Sequence, residues 1–412
     1  MRLIHTSDWH LGQTLHQFDR SHEHSRFLDW LLDTLVAEEA DALLIAGDVF
    51  DNANPSSASQ VQLYRFLTGA RRRVPHLNIV LTAGNHDSPG RLEAPAPFLA
   101  LLDAAVVGQV ARVGEGADPA RLLVPLKDAA GEIHAWCIAM PFLRPGDVPR
   151  VEGVEDAYGA GIAALYRRAF ELANARRTPG QAIVAMGHCH LTGGEVSEES
   201  ERRIVIGGAE ALPAAIFDPA IAYVALGHLH LAQRIGGDAT RRYCGSPLPM
   251  SFSEIAYPHQ VLVVDLEGEA VVEVREVRIP RAVELLRVPD KPAPLAEVLA
   301  QLQLAALSLP ERPEAEWPYL LVRVQLTQPE PGLRAEIEAA LAGKPVRLAR
   351  IETRYAAQDG AEAAPLLSVD ELNALAPADF FQRLYQHRFG EAAPAPIMAA
   401  FTELLNATPE AP

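Results

Sequence analysis

Five short apolar runs punctuate the first part of the chain, and each stops at a cluster of polar residues. The runs are Arg2-Leu3-Ile4-His5, Ala42-Leu43-Leu44-Ile45-Ala46, Ile79-Val80-Leu81, Ala182-Ile183-Val184-Ala185 and Tyr223-Val224-Ala225-Leu226. Aliphatic runs of this length without polar alternation read as strands covered on both faces, the habit of parallel sheets. Between the first three runs the period changes to that of a helix. Phe27, Leu28, Leu31, Leu32 and Leu35 predict a helix from about Asp19 to Glu39. Pro55-Ser56-Ser57 supplies a second helix start, and Val61, Leu63, Tyr64, Phe66 and Leu67 carry that helix to Arg73. The β-α-β-α-β rhythm predicts a layered α/β domain with right-handed crossovers.

Residues 105–145 read differently, as short strands and turns, with Leu122–Leu126 and Ile133–Ala139 on either side of Asp128-Ala129-Ala130-Gly131. A helix from about Val154 to Arg177 precedes the fourth run. After the fifth, Ala232–Ile235, Arg241–Cys244, Gln260–Leu266 and Ala270–Ile279 alternate like antiparallel strands. Two mixed sheets packed face to face, with helices outside, account for this mixture. Pro280 and the Pro289–Pro294 stretch then mark a change of composition. Val283–Val288, Leu295–Leu307, Tyr319–Leu326, Gly332–Ala342 and Val346–Thr353 predict a small β-α-β-α-β unit. Ala356–Ser368 has the Ala, Gly and Glu content of a linker. Two short amphipathic helices close the chain, one with Phe380, Phe381, Leu384 and Tyr385, the other with Ile397, Met398, Phe401, Leu404 and Leu405. The domain plan is therefore 1–280, 281–355, a linker over 356–368, and helices over 369–412. No internal repeat is visible.

At 412 residues the chain exceeds one ordinary core, which agrees with that plan. The formal net charge of −17 argues against a large independent footprint on a polyanion, which favours a basic domain. It leaves a metal site open, because bound cations reverse the local field. Basic residues come in small clusters, Arg71-Arg72-Arg73, Arg202-Arg203 and Arg241-Arg242, which read as solvated. The three cysteines, Cys137, Cys189 and Cys244, are scattered and lack ligand spacing, so a reducing compartment is expected. Met1 opens directly onto a strand-like run rather than a secretory leader, and no run is long enough for a bilayer. A soluble intracellular protein is the expectation.

The chemistry lies where the five runs end: Ser7-Asp8-Trp9-His10, Gly47-Asp48, Gly84-Asn85-His86-Asp87, Gly187-His188-Cys189-His190 and Gly227-His228-Leu229-His230. Ligands of open α/β sheets gather outside the carboxyl ends of the strands. Taken singly, each motif has an ordinary explanation as a turn or a satisfied polar residue. Five strand ends carrying only Asp, Asn and His point instead to metal. Asp8, His10, Asp48, Asn85, His188, His228 and His230 are too many ligands for one tetrahedral ion. They suit two ions sharing a carboxylate, with Asp48 as the bridge. Mixed oxygen and nitrogen donors favour Mn²⁺, Fe²⁺ or Zn²⁺ over Mg²⁺ or Ca²⁺. Two such ions about 3.5–4 Å apart can clamp a phosphodiester and acidify a water. In the fourth motif both His188 and His190 are available, and spacing alone does not choose.

Asp-x-His at 8–10, Gly-Asp-x-x-Asp at 47–51, Gly-Asn-His-Asp at 84–87 and the two Gly-His-x-His stretches resemble the signature of the calcineurin-like metallophosphoesterases. More narrowly, the chain is similar to the nuclease subunits of bacterial ATP-driven repair complexes. That narrower likeness rests on Met1–Gly12, Gly47–Asp51, Gly84–Leu92 and Ala225–His230. It also rests on Tyr243–Glu254, a stretch that no metal chemistry explains; the likeness is strongest over 1–280. The resemblance implies a four-layer fold, a small α/β capping domain that contacts duplex DNA, and closing helices that dock on a coiled-coil ATPase. It implies Asp8, His10, Asp48 and His230 on one metal, Asp48, Asn85, His188 and His228 on the other, and two Mn²⁺ ions. It prefers His188 to His190 and makes His86 the non-ligand histidine that orients the phosphate or protonates the leaving oxygen. Asp51 and Asp87 would support the site rather than ligate. A homodimer within a heterotetramer is implied as well. The rival readings are a small-substrate phosphoesterase, opposed by the 281–412 extension, and a DNA-end tethering subunit with a dispensable metal site.

Overall fold

Strands form where aliphatic side chains can be buried on both faces, and the computed structural model puts them there. It describes residues 1–114, 116–197, 211–304, 313–355 and 377–406. Along the chain the main elements are β1 (Arg2–Thr6), α1 (Ser21–Ala37), β2 (Ala42–Ala46), α2 (Ser57–Arg73), β3 (Asn78–Thr82), β4 (Ala104–Val107), β5 (Leu123–Lys127) and β6 (Ile133–Ala139). They continue with α3 (Ala157–Arg176), β7 (Ala182–His188), β8 (Tyr223–Gly227), β9 (Gln233–Arg234), β10 (Arg241–Tyr243), β11 (Gln260–Glu267) and β12 (Ala270–Arg278). After them come β13 (Leu285–Pro294), α4 (Leu295–Leu304), β14 (Tyr319–Leu326), α5 (Leu333–Leu341), β15 (Arg347–Tyr355), α6 (Pro377–Phe389) and α7 (Ala395–Asn406).

Two six-stranded sheets result, in the orders β12-β11-β1-β2-β3-β4 and β9-β10-β8-β7-β6-β5. In the first, β1 through β4 run parallel and β11 and β12 are antiparallel additions. In the second, β6, β7, β8 and β10 are parallel, with β5 and β9 antiparallel at the edges. Side chains alternate along each strand. Leu3, Ala42, Leu44, Ala46 and Val80 therefore face the second sheet in one core. Ile4, Leu43, Ile45, Ile79 and Leu81 face α1 and α2 in another, against Phe27, Leu31, Leu35, Leu63, Phe66 and Leu67. α3 packs on the second sheet through Leu165, Tyr166, Ala169 and Ala173. The layers are helix, sheet, sheet, helix.

The first compact unit is Met1–Leu285 with Glu311–Tyr319, and the second is Leu286–Pro310 with Leu320–Pro412. Within the second, Leu320, Val322 and Val324 occupy one face of β14 against Val298 and Leu302 of α4 and Ile337 of α5. Phe381 of α6 stacks on Phe401 of α7 with ring centroids 4.1 Å apart. The linker expected at 356–368 lies outside the described residues.

Three details depart from the expectations raised by the sequence. β10 pairs antiparallel with β9 but parallel with β8, so the stretch after the fifth motif is not a simple antiparallel meander. β13 includes Pro289, Pro292 and Pro294, which in the sequence mark only a change of composition. It is an edge strand of its sheet, where a missing N–H can face away from the ladder. Arg242, expected to be solvated, is 2 % exposed, because β10 lies inside the sheet between β8 and β9. Its Nη2 donates to Glu276 at 2.7 Å.

Candidate metal centre

The carboxyl ends of β1, β2, β7 and β8 meet because the sheets approach very closely there. Gly227 ends β8, and a Cβ built on it would lie 1.9 Å from the Ala46 carbonyl of the opposite sheet. Gly84 is equally constrained, since its Cβ would fall 2.1 Å from Oδ1 of Asp48. The glycines ahead of the ligands are therefore the contact that lets the strand ends converge. Four of the candidate ligands carry backbone strain at this junction. Asp8, His10, Asp48 and His228 all have positive φ, at 54°, 47°, 48° and 102°. Hydrogen bonds hold them there. The amide of Asp8 donates to the Gly47 carbonyl and that of His10 to the Asp48 carbonyl, both at 3.0 Å.

Asp48 sits in the middle. Its Oδ1 accepts the His86 amide at 2.8 Å, and its Oδ2 lies 3.3 Å from His188 Nε2 and 3.7 Å from His10 Nε2. His188 donates Nδ1–H to the Ala46 carbonyl at 2.9 Å, which aims its Nε2 at Asp48 and at Asn85 Oδ1, 3.0 Å away. His228 meets the same Asn85 oxygen through Nδ1 at 3.1 Å, and its amide donates to Asp8 Oδ1 at 2.9 Å. The His10 and His230 rings stand edge to face, 5.3 Å apart. Three groups could each hold an ion: Asp8, His10 and His230; His10, Asp48 and His86; Asp48, His188 and His228. His190 belongs to none of them.

Electrostatics agree with a cation site. Burial opposes the charge of Asp48, but His188, His10 and His86 outweigh it and hold the carboxyl well below its usual range. Burial also works against a charged His188, yet Asp48 and then Asp8 push it up to about 9. Buried His228 is held well below the ordinary range. Such a set shares protons that a divalent ion would displace. The sharpest test of fit is His10. Its Nε2 is buried and has no hydrogen-bond partner among the described residues, although buried imidazole nitrogens are nearly always paired. An unpaired nitrogen among carboxylate oxygens and imidazoles suits a divalent cation, so the residues fit the implied metals.

Further polar groups surround these three clusters. His86 donates Nδ1–H to the Asp51 carbonyl at 2.7 Å. Asp87 is buried and gathers the amides of Val49, Phe50 and Gly84 at 2.9–3.1 Å, which ties the second motif to the third. Asp51 Oδ1 lies 3.4 Å from His10 Nδ1. Sequence reasoning misses Glu254. Fully buried, it accepts Nδ1–H of His230 at 3.0 Å and the Met250 amide at 2.7 Å. A carboxylate behind a ligating histidine fixes its tautomer and orientation. Glu254 ends the Tyr243–Glu254 stretch, which thus reaches the candidate metal centre through His230.

Comparison with known proteins agrees. Residues 1–232 match the family described as calcineurin-like phosphoesterase, and residues 281–389 match the type 5 capsule protein repressor C-terminal domain. The D subunit of nuclease SbcCD from Rhodobacter capsulatus is 46% identical over 356 residues, covering 85% of this chain and 86% of that one. Its namesake in Escherichia coli is 36% identical over 287 residues, 68% of each chain. The Bacillus subtilis protein of that name is 35% identical over 271 residues, 64% of this chain and 66% of its own. Likeness of this length and degree means that the chain belongs to the calcineurin-like phosphoesterases and, within them, to the family of SbcD nuclease subunits.

Proposed function

We propose that this chain is a manganese-dependent DNA nuclease, an exonuclease on duplex ends and an endonuclease on single strands and hairpins. The observation that carries the reading is Asp48, a buried carboxylate facing His10 on one side and His188 on the other. In this reading Asp8, His10, Asp48 and His230 hold one Mn²⁺, and Asp48, Asn85, His188 and His228 hold the other. Bound ions of this kind polarise a phosphoryl oxygen and lower the pKa of water. The chain's own groups do the rest. Asp48 would offer its oxygens to bound metal, and Asn85 would add a neutral oxygen beside His188 and His228. A carbonyl can only accept, so the contact with Asp51 makes Nδ1 of His86 the protonated nitrogen. Nε2 is then the nitrogen left to face the substrate, and with a second proton bound, as the imidazolium, it would donate to the scissile phosphate or pass that proton to the leaving oxygen.

The names of the relatives support a place in an SbcCD-type complex; we extend this to DNA repair, recombination and replication, driven by an SbcC-type ATPase with a coiled coil. On that reading residues 1–280 are the nuclease domain and 281–355 a capping domain on duplex DNA. Residues 356–368 are a linker, and the helices of 369–412 dock on the ATPase. The assembly is a homodimer of this chain within a heterotetramer, in the cytoplasm at the nucleoid. Among the described residues no helix is long and apolar enough to cross a membrane.

The test is Mn²⁺-dependent cleavage of a labelled linear duplex and a hairpin by the wild-type chain and His86→Ala, each with and without the ATPase partner. A fall of at least about 100-fold in His86→Ala, with two ions still bound by calorimetry, is expected for a lost proton donor. Absence of DNA cleavage alongside brisk hydrolysis of p-nitrophenyl phosphate would move the chain to small substrates. Full biological activity in Asp48→Asn without metal binding would favour the tethering role.

A further inference from the structure

Beside the metal centre stands one arginine that the chemistry above does not use. The segment after β6 runs alongside the Gly84–Asp87 motif. The Phe142 amide donates to the Ala83 carbonyl at 2.8 Å, and Arg144 Nη2 donates to the Asp87 carbonyl at 3.4 Å. The guanidinium carbon lies 5.3 Å from the centre of the Phe142 ring, which meets the His188 ring edge-on at 6.4 Å. The backbone is pinned too, since the Arg144 amide donates to Asp147 Oδ2 at 2.8 Å and Tyr158 donates to the Leu143 carbonyl. Among the described residues no carboxylate forms an ion pair with this guanidinium, and its side chain is half-buried. In a chain with a net charge of −17, a pre-positioned arginine without an acid is out of keeping with its surroundings. Its forked donors match a phosphate.

We propose that Arg144 is a substrate-positioning residue that binds a phosphodiester oxygen of the strand lying in the metal site, on the His86 side. The proposal rests on the nuclease reading. It explains how an acidic chain grips a polyanion at its active site. The Phe142 face and the Asp87 carbonyl hold the guanidinium ready, so little rotamer freedom is lost on binding.

The experiment compares wild type, Arg144→Ala and Arg144→Lys in complex with the ATPase partner. It records kcat and KM for a labelled oligonucleotide across a salt series, hydrolysis of bis(p-nitrophenyl) phosphate, and Mn²⁺ binding by calorimetry. For Arg144→Ala, KM for the oligonucleotide is expected to rise about tenfold, the scale of one charge-assisted hydrogen bond. The loss should be larger on DNA than on the small diester. The slope of log affinity against log salt should shrink by about 0.7–0.9, one phosphate contact. Arg144→Lys should recover part of KM. Unchanged KM and salt slope would overturn the proposal. So would equal losses on both substrates with weakened Mn²⁺ binding, which would make Arg144 a support of the metal site. Wild-type enzyme that hydrolyses the diester but never cleaves DNA would overturn the nuclease reading itself, and this proposal with it.

Discussion

Two buried histidines of the first unit spend their ring nitrogens differently, and their partners decide how. His5 is fully buried, with Nδ1 on the Tyr223 hydroxyl at 2.9 Å and Nε2 on the Leu226 carbonyl at 3.2 Å. Both nitrogens are occupied, burial pushes its pKa down to about 3, and the ring is part of the core. His230 turns Nδ1 toward the Glu254 carboxylate, 3.0 Å away, and so presents Nε2 to the site. Replacing Glu254 by Ala removes that acceptor and strands the Met250 amide as well. Calorimetry should show Mn²⁺ affinity about 10–100-fold weaker in Glu254→Ala. Glu254→Gln should lose less, because its amide oxygen still accepts from Nδ1–H. Equal Mn²⁺ affinity in wild type and Glu254→Ala would show that the ring is held without the carboxylate.

At the scale of elements, what matters is how near two sheets can bring their strand ends. Gly227 of β8 leaves no room for a methyl against the Ala46 carbonyl at the end of β2. Gly227→Ala should therefore push the sheets apart where the candidate ligands meet. The expected cost is about 1–3 kcal/mol or more by chemical denaturation. Gly146→Ala, where a Cβ meets nothing within 4 Å, is the control that should stay within about 0.5 kcal/mol. A Gly227→Ala variant as stable as wild type would mean that this contact is soft. The same geometry explains what the sequence displays. Runs such as Ala42–Ala46 are apolar on both faces because one face meets helices and the other a sheet, so both strands and motifs are legible. β10 is legible as a strand, but its three residues carry too little pattern to name their neighbours. The strand through Pro289–Pro294 is hidden because proline reads as a breaker unless the edge position is known. Glu254 is hidden because it lies 24 residues beyond His230, and only the fold brings it beneath the ring.

Across the first unit, distant stretches are tied by one buried ion pair. Arg20 is fully buried, and its Nε and Nη2 donate to the two Glu23 oxygens at 2.8 and 2.7 Å. Its Nη1 donates to Gln13 Oε1 at 3.0 Å and the Pro249 carbonyl at 2.7 Å, and the Tyr319 hydroxyl donates to Glu23 at 2.8 Å. The Pro249 contact adjoins Met250, whose amide Glu254 holds, so the pair braces the segment behind His230. Neutralising the carboxylate leaves the guanidinium charge in the core without its counter-ion. Glu23→Gln should cost about 3–5 kcal/mol near neutral pH, while Arg20→Met with Glu23→Leu should recover most of that loss. Acid supplies the second arm. Burial disfavours the Glu23 anion, but Arg20 and then Tyr319 prevail and lower its pKa below the ordinary 4.5. A depressed carboxyl contributes its full stability above the unfolded value and loses it as pH falls through the folded one. The gap in stability between wild type and Glu23→Gln should thus be constant from about pH 8 to 5.5 and narrow below about 4.5. His24 beside it, pushed down to about 4 by burial and then Arg20, titrates in the same acid range, so the difference between the two proteins is the readout. A gap that does not narrow in acid would show that folding does not lower the Glu23 pKa, and that Arg20 leans on its other acceptors instead.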